Sequence, residues 1–125
     1  MGNATLKIMD LGTAPSIPME QGRGTKIKLI DTSLGTENLD VHLNRLAPGG
    51  AAGRLHKHSK ADNVYIVRAG RGQLVVEGTS YTIAKDQVIF IPAGLAHSLS
   101  NVSDEPFEIF EIYAPAGANF DFIGC

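Results

Sequence analysis

Between Lys26 and Tyr113 the chain repeats one pattern: a short run of alternating or β-branched apolar residues, then a turn. Lys26-Ile-Lys-Leu-Ile30 opens it and the polar stretch Asp31–Asn38 closes that run. Leu39, Val41 and Leu43 then alternate with Asp40, His42 and Asn44 until Pro48-Gly49-Gly50. Downstream come Asn63–Arg68, Gln73–Glu77, Ser80–Ala84, Gln87–Ile91 and Phe107–Tyr113, separated by Gly-, Asp- and Pro-containing turns. About nine short strands at this spacing, with no helical period, specify an all-β sandwich or barrel. With 125 residues the chain makes one domain. Its barrel is expected over residues 26–113, after an irregular N-terminal arm (1–25) carrying Gly12, Pro15, Pro18, Gly22 and Gly24, and before an apolar tail (114–125). Leu6-Lys-Ile8 is expected to add a short strand to a sheet edge.

Hydrophobic residues at 43% and charged residues at 19% are the proportions of a folded domain. A formal net charge of −2 with no basic run excludes nucleic acid and anionic membrane as partners. No apolar run approaches the roughly 18 residues of a membrane span. No basic-then-apolar leader is present, so the expected location is the cytoplasm. Cys125 is the one cysteine, which excludes an internal disulfide and suits a reducing compartment.

Chemistry enters with His56-Lys57-His58. Side chains alternate along a strand, so histidines at i and i+2 face the same side and can hold one metal ion between them. His97 lies in a second stretch, Pro92-Ala-Gly94-Leu-Ala-His97-Ser-Leu-Ser-Asn101, and supplies a third imidazole if its strand runs beside the first. No Ser/His/Asp arrangement, phosphate loop or cysteine pair competes with this group.

The two stretches resemble the paired motifs of the cupin superfamily. Gly50, His56, His58 and Gly70 fall at the spacings of the first motif, and Pro92, Gly94, His97 and Asn101 at those of the second. Two positions depart. The leading glycine of the second motif is Asp86, a residue that visits the left-handed region more readily than most. The metal-binding glutamate of the first is Asn63, with Asp62 beside it. The resemblance implies a double-stranded β-helix, or jelly-roll barrel, that binds one divalent ion through His56, His58 and His97; the fourth donor is Asn63 or Asp62, or else the site is three histidines plus water. Zinc, iron, nickel, manganese and copper all suit such a set. A shell of histidines is neutral, so the ion keeps its full charge and favours an anionic chelating ligand.

Around the ion, Tyr65 shares strand parity with Asn63 and lines the cavity if alternation holds. Arg54, two residues before His56, aims a cation at an anionic ligand. His42 faces inward only if Leu39, Val41 and Leu43 pack against something outside the barrel. Phe90 and Phe110 are assigned to the core. The resemblance implies an enzyme acting on a small oxygen-rich metabolite, by dioxygenase or by isomerase or lyase chemistry. A non-catalytic small-molecule binder or sensor is the alternative. The apolar tail, the arm and the two-faced strand 39–46 lead us to expect a homodimer.

Overall fold

The computed structural model describes residues 5–117 and 120–125. Its strands are β1 (Ser16–Pro18), β2 (Gly24–Ile30), β3 (Asp40–Leu46), β4 (His56–Lys57), β5 (Asp62–Ala69), β6 (Arg71–Val76), β7 (Thr79–Ala84), β8 (Val88–Ile91), β9 (His97–Ser100), β10 (Phe107–Ala114) and β11 (Ile123–Gly124). They form a six-stranded sheet in the order β1-β2-β3-β10-β5-β8 and a five-stranded sheet in the order β11-β4-β9-β6-β7. Every pairing is antiparallel. This is the expected all-β, double-stranded β-helix architecture.

Alternation explains which residues face the interior. Along β5, Asn63, Tyr65 and Val67 are buried while Asp62, Ile66 and Arg68 are exposed. Along β10 the inward set is Phe107, Ile109, Glu111 and Tyr113, which register against inward residues of β3 on one side and β5 on the other. The core between the sheets gathers Leu46, Tyr65, Val67, Leu74, Ile83, Ile91, Leu99, Phe107 and Ile109. Phe107 is fully buried over Gly72, where an added Cβ would stand 2.4 Å from its ring. Burying such a side chain contributes about 1.5–3 kcal/mol, and any larger residue at position 72 would displace it.

β3 is buried on both faces. His42 and Asn44 point inward, while Leu43, fully buried, and Ile27 opposite it pack on the other side, apart from the central core. The condition for an inward His42 is thus met within this chain. Asp86 takes φ 73°, the left-handed conformation required where the motif has glycine.

Three expectations need correction. Leu6 and Ile8 lie outside any strand and are exposed, because Ser16–Pro18 takes the free edge of β2 instead. Phe90 is 62% exposed: Ile89 and Ile91 use the inward positions of β8, which leaves Phe90 on the outer face. Phe110, on the outward parity of β10, is half-buried and outside the core. The arm and the tail each contribute a strand to a sheet.

Candidate metal centre

Strand pairing assembles the histidines. β4 lies beside β9 with His56 opposite His97, and His58, two residues along, returns to the same face. One nitrogen of each ring lies within 4.8 Å of those of the other two. Each ring is anchored by its remaining nitrogen. His56 Nδ1 donates to the carbonyl of Arg54 (2.7 Å), His58 Nδ1 to that of Asp121 (2.6 Å) and His97 Nδ1 to that of Leu95 (2.9 Å). A carbonyl can only accept, so Nδ1 carries the hydrogen and Nε2 of the neutral ring keeps its lone pair.

The electrostatics favour that neutral state. Burial, reinforced by the neighbouring histidines, holds His56 down to about 4 and also lowers His97. The Nε2 atoms of His58 and His97 are buried with no hydrogen-bond partner among the described residues. Buried acceptors left unsatisfied cost about 1–3 kcal/mol each. An electron-pair acceptor shared by the three rings removes that cost, and anchored Nδ1–H groups are the usual support of metal-binding histidines. The residues fit a divalent transition ion.

The tail completes this wall, which sequence reasoning did not foresee. Phe122 stacks on His56 (centroids 4.3 Å, 15° between planes) and Phe120 lies 4.8 Å from His58. Asp121 accepts from the backbone N–H of Ser59 (2.7 Å) and from its hydroxyl, fixing the carbonyl that holds His58.

The facing sheet brings a second group. Glu111 is 5% exposed and stands directly across from His42 on β3 and Tyr65 on β5. Its Oε1 accepts from His42 Nε2 (2.8 Å) and Asn44 Nδ2 (2.8 Å), and its Oε2 from Asn63 Nδ2 (3.1 Å). Tyr65 and Tyr113 also turn their hydroxyls to it. Burial alone would raise the Glu111 pKa. The donors, led by His42, override that and hold it down to about 2. His42 in turn offers Nδ1 to Asp40 (2.9 Å). Both of its partners are carboxylates, so both nitrogens donate and the ring is an imidazolium. Burial opposes that charge, but the bonds to Asp40 and Glu111 raise its pKa.

A cavity of about 450 Å³ opens beside these groups, lined by His42, Asn44, His56, Tyr65, Glu111 and Tyr113, with Arg23, Arg54 and Phe122 among its other walls. Tyr65, Arg54 and His42 therefore all reach the same cavity. Arg54 is exposed, with its guanidinium 5.5 Å from the Phe122 ring centre. Asn63 is fully buried on the inner face of β5. Asp62 points outward and accepts from the Ala93 N–H (3.0 Å), so strand parity takes it away from the histidines.

Glu111 was missed because Phe107-Glu-Ile-Phe-Glu-Ile-Tyr113 reads as an apolar core strand. Its parity held the signal: the inward set that begins at Phe107 and Ile109 continues to Glu111.

A double-stranded β-helix with three inward histidines on neighbouring strands defines a class. The chain belongs to the cupin family, whose domain model matches residues 42–113. Among known proteins, it is 34% identical over 82 residues to the mannose-1-phosphate guanylyltransferase of Klebsiella pneumoniae, a match covering 66% of this chain and 17% of that enzyme. The glucose-6-phosphate isomerase of Pyrococcus furiosus is 35% identical over 74 residues, covering 54% of this chain and 39% of that protein. This chain thus spans well under half the length of either relative. The polyketide cyclase RemF from Streptomyces resistomycificus superposes with a TM-score of 0.82 at 18% identity, covering 96% of this chain and 85% of that one, a likeness of fold.

Proposed function

We propose that this cupin is a divalent-metal-dependent enzyme for a small, oxygen-rich, anionic metabolite that chelates the ion, and that its chemistry is proton transfer of the isomerase or lyase kind. His56, His58 and His97 hold the ion, with Asn63 behind them as a further donor. A bound divalent ion supplies Lewis-acid polarisation of a substrate carbonyl or hydroxyl.

The observation that carries the reading is the shared cavity. In its lining His56, of the three histidines, stands with an imidazolium, a buried carboxylate and two tyrosine rings. Such a wall donates and accepts protons at defined atoms. Tyr65 and Tyr113 stay protonated, since burial and then the Glu111 charge raise both pKa values well above the usual range. Each has a single hydroxyl hydrogen, which is turned to Glu111, so the two tyrosines steady that carboxylate at the cavity wall. Arg23 and Arg54 orient an anionic group in the cavity. Phe120 and Phe122 cover one side of His58 and His56. The names of the relatives, enzymes of sugar phosphates, support an oxygen-rich anionic substrate.

The experiment is a screen of small oxo acids and sugar phosphates with zinc-, iron- or manganese-loaded protein in D₂O. Exchange of deuterium into carbon next to a carbonyl, without oxygen uptake, is the expected result. Oxygen consumption without deuterium incorporation would contradict proton transfer and favour dioxygenation.

A further inference from the structure

We propose that Glu111 is a positioning residue for the metal centre: it fixes the Asn63 amide with its oxygen presented as the fourth donor, and supplies the negative charge behind that oxygen. The inference rests on the reading that the three histidines hold the ion.

The first observation is orientation. An amide can be turned either way, and its oxygen and nitrogen are exchanged by that turn. Glu111 removes the choice. Its carboxylate accepts from His42, Asn44 and Asn63, and an ionised carboxylate has no hydrogen to give. If Asn63 turned over, its oxygen would face that carboxylate with no hydrogen between them. Nδ2 is therefore held against Glu111, and Oδ1 is directed away from it. Oδ1 is buried and has no hydrogen-bond partner among the described residues. It shares that condition with the Nε2 atoms of His58 and His97 and with Asn44 Oδ1.

The second observation is place. Asn63 lies in register with Tyr113, whose ring is 5.0 Å from that of His58. The next inward residue on its strand, Tyr65, has its ring 6.3 Å from that of His97. Asn63 is thus bracketed, on the facing sheet, by two residues that reach the histidines. It also occupies the position that the first motif gives to a glutamate ligand.

Together these describe a divided carboxylate. A glutamate at position 63 would offer charge and donor atom in one group. Here the donor atom comes from β5 and the charge from β10, joined by the Asn63 Nδ2 hydrogen bond. Polarisation through that bond makes the amide oxygen a stronger donor than a free amide.

The test uses cobalt(II) alone as the probe, with affinity and the visible absorption of the bound ion as readouts. Glu111→Gln keeps the size but puts an NH₂ group within reach of the Asn63 NH₂, which turns the amide over. We expect cobalt affinity to fall by about tenfold or more, with a changed absorption spectrum. Asn63→Ala should weaken binding comparably. In the Asn63→Ala background, Glu111→Gln should add less than about a threefold effect, because the two act through one bond. Affinity within about twofold of wild type in Glu111→Gln, or the same loss with and without Asn63, would overturn the proposal. If Glu111→Gln does not fold, the wild-type protein decides. The Asn63 side-chain amide resonance should shift with zinc and saturate together with the histidines, and a resonance that stays put would overturn it. His97→Ala separates the underlying reading: if that variant binds cobalt normally, the histidine centre itself is wrong.

Discussion

His42 is the residue whose surroundings say most about pH. Both of its nitrogens face carboxylates inside the fold, Asp40 on one side and Glu111 on the other. Its folded pKa is therefore raised above the ordinary 6.5. A raised pKa means that the folded state holds the proton more tightly than the unfolded chain does. The resulting stability is complete below about pH 6.5 and is lost as pH climbs through the folded value. Glu111 has the opposite sign: its stabilising charge is present above its ordinary 4.5 and lost as pH falls toward about 2. Breaking a buried pair costs about 3–5 kcal/mol. In metal-free protein, His42→Asn should therefore melt well below wild type near pH 6.5, and the gap should narrow toward about pH 9. Thermal melts across that range check it, and a gap independent of pH would contradict the assignment of charge. Residue identities carried only part of this. The spacing of His56, His58 and His97 was legible because alternation on a strand is local. The ionic partner of His42 lies 69 positions away, and no local pattern links the two.

Among the elements, the tail is where sequence and structure part furthest. Ala114–Cys125 reads as an apolar cover for the barrel or a partner, since phenylalanines and an isoleucine without periodicity name no target. In the fold, β11 pairs with β4, the strand that carries His56. The aromatic side chains of Phe120 and Phe122 lie against His58 and His56. β3, another of the elements on which the dimer expectation leaned, lies between β2 and β10 with both edges paired. Tail and metal site are coupled through the β11–β4 pairing and these rings, and through the carbonyl of Asp121, which orients His58. Deleting residues 120–125 should lower zinc affinity by about 10- to 100-fold, the range seen when the hydrogen-bond support of a ligand is removed. Asp121→Ala keeps the carbonyl and loses only the Ser59 contacts, so its effect should be clearly smaller. Calorimetric titration with zinc distinguishes them. Equal losses would mean that the Asp121 side chain, and not the tail's backbone and rings, carries the support. Strand elements, by contrast, were largely legible: alternation located β3, β5 and β10, and the turn chemistry at Asp86 held. Phe90 and Phe110 were misassigned because hydrophobicity alone does not say which face of a strand is inner.

At the scale of the whole molecule, the two sheets divide the work. The smaller sheet carries His56 on β4 and His97 on β9, with His58 directly after β4, and the larger carries Asn63, Glu111 and His42 on β5, β10 and β3. The cavity takes His56 from the first set and His42 and Glu111 from the second. This division explains why the class of fold and the donor set were readable from the chain while the inner network was not. The motifs lie within single stretches, whereas the network exists only once β10 is inserted between β3 and β5. It also makes metal binding a property of the folded state, so ion affinity adds to stability. The measurement that bears most directly on this account is elemental analysis of wild type and His97→Ala, each purified without added metal and then melted. The account predicts close to one divalent ion per chain in wild type, little in the variant, and a lower melting temperature for the variant that added zinc does not restore. A His97→Ala protein that keeps a full complement of metal and an unchanged melting temperature would contradict it.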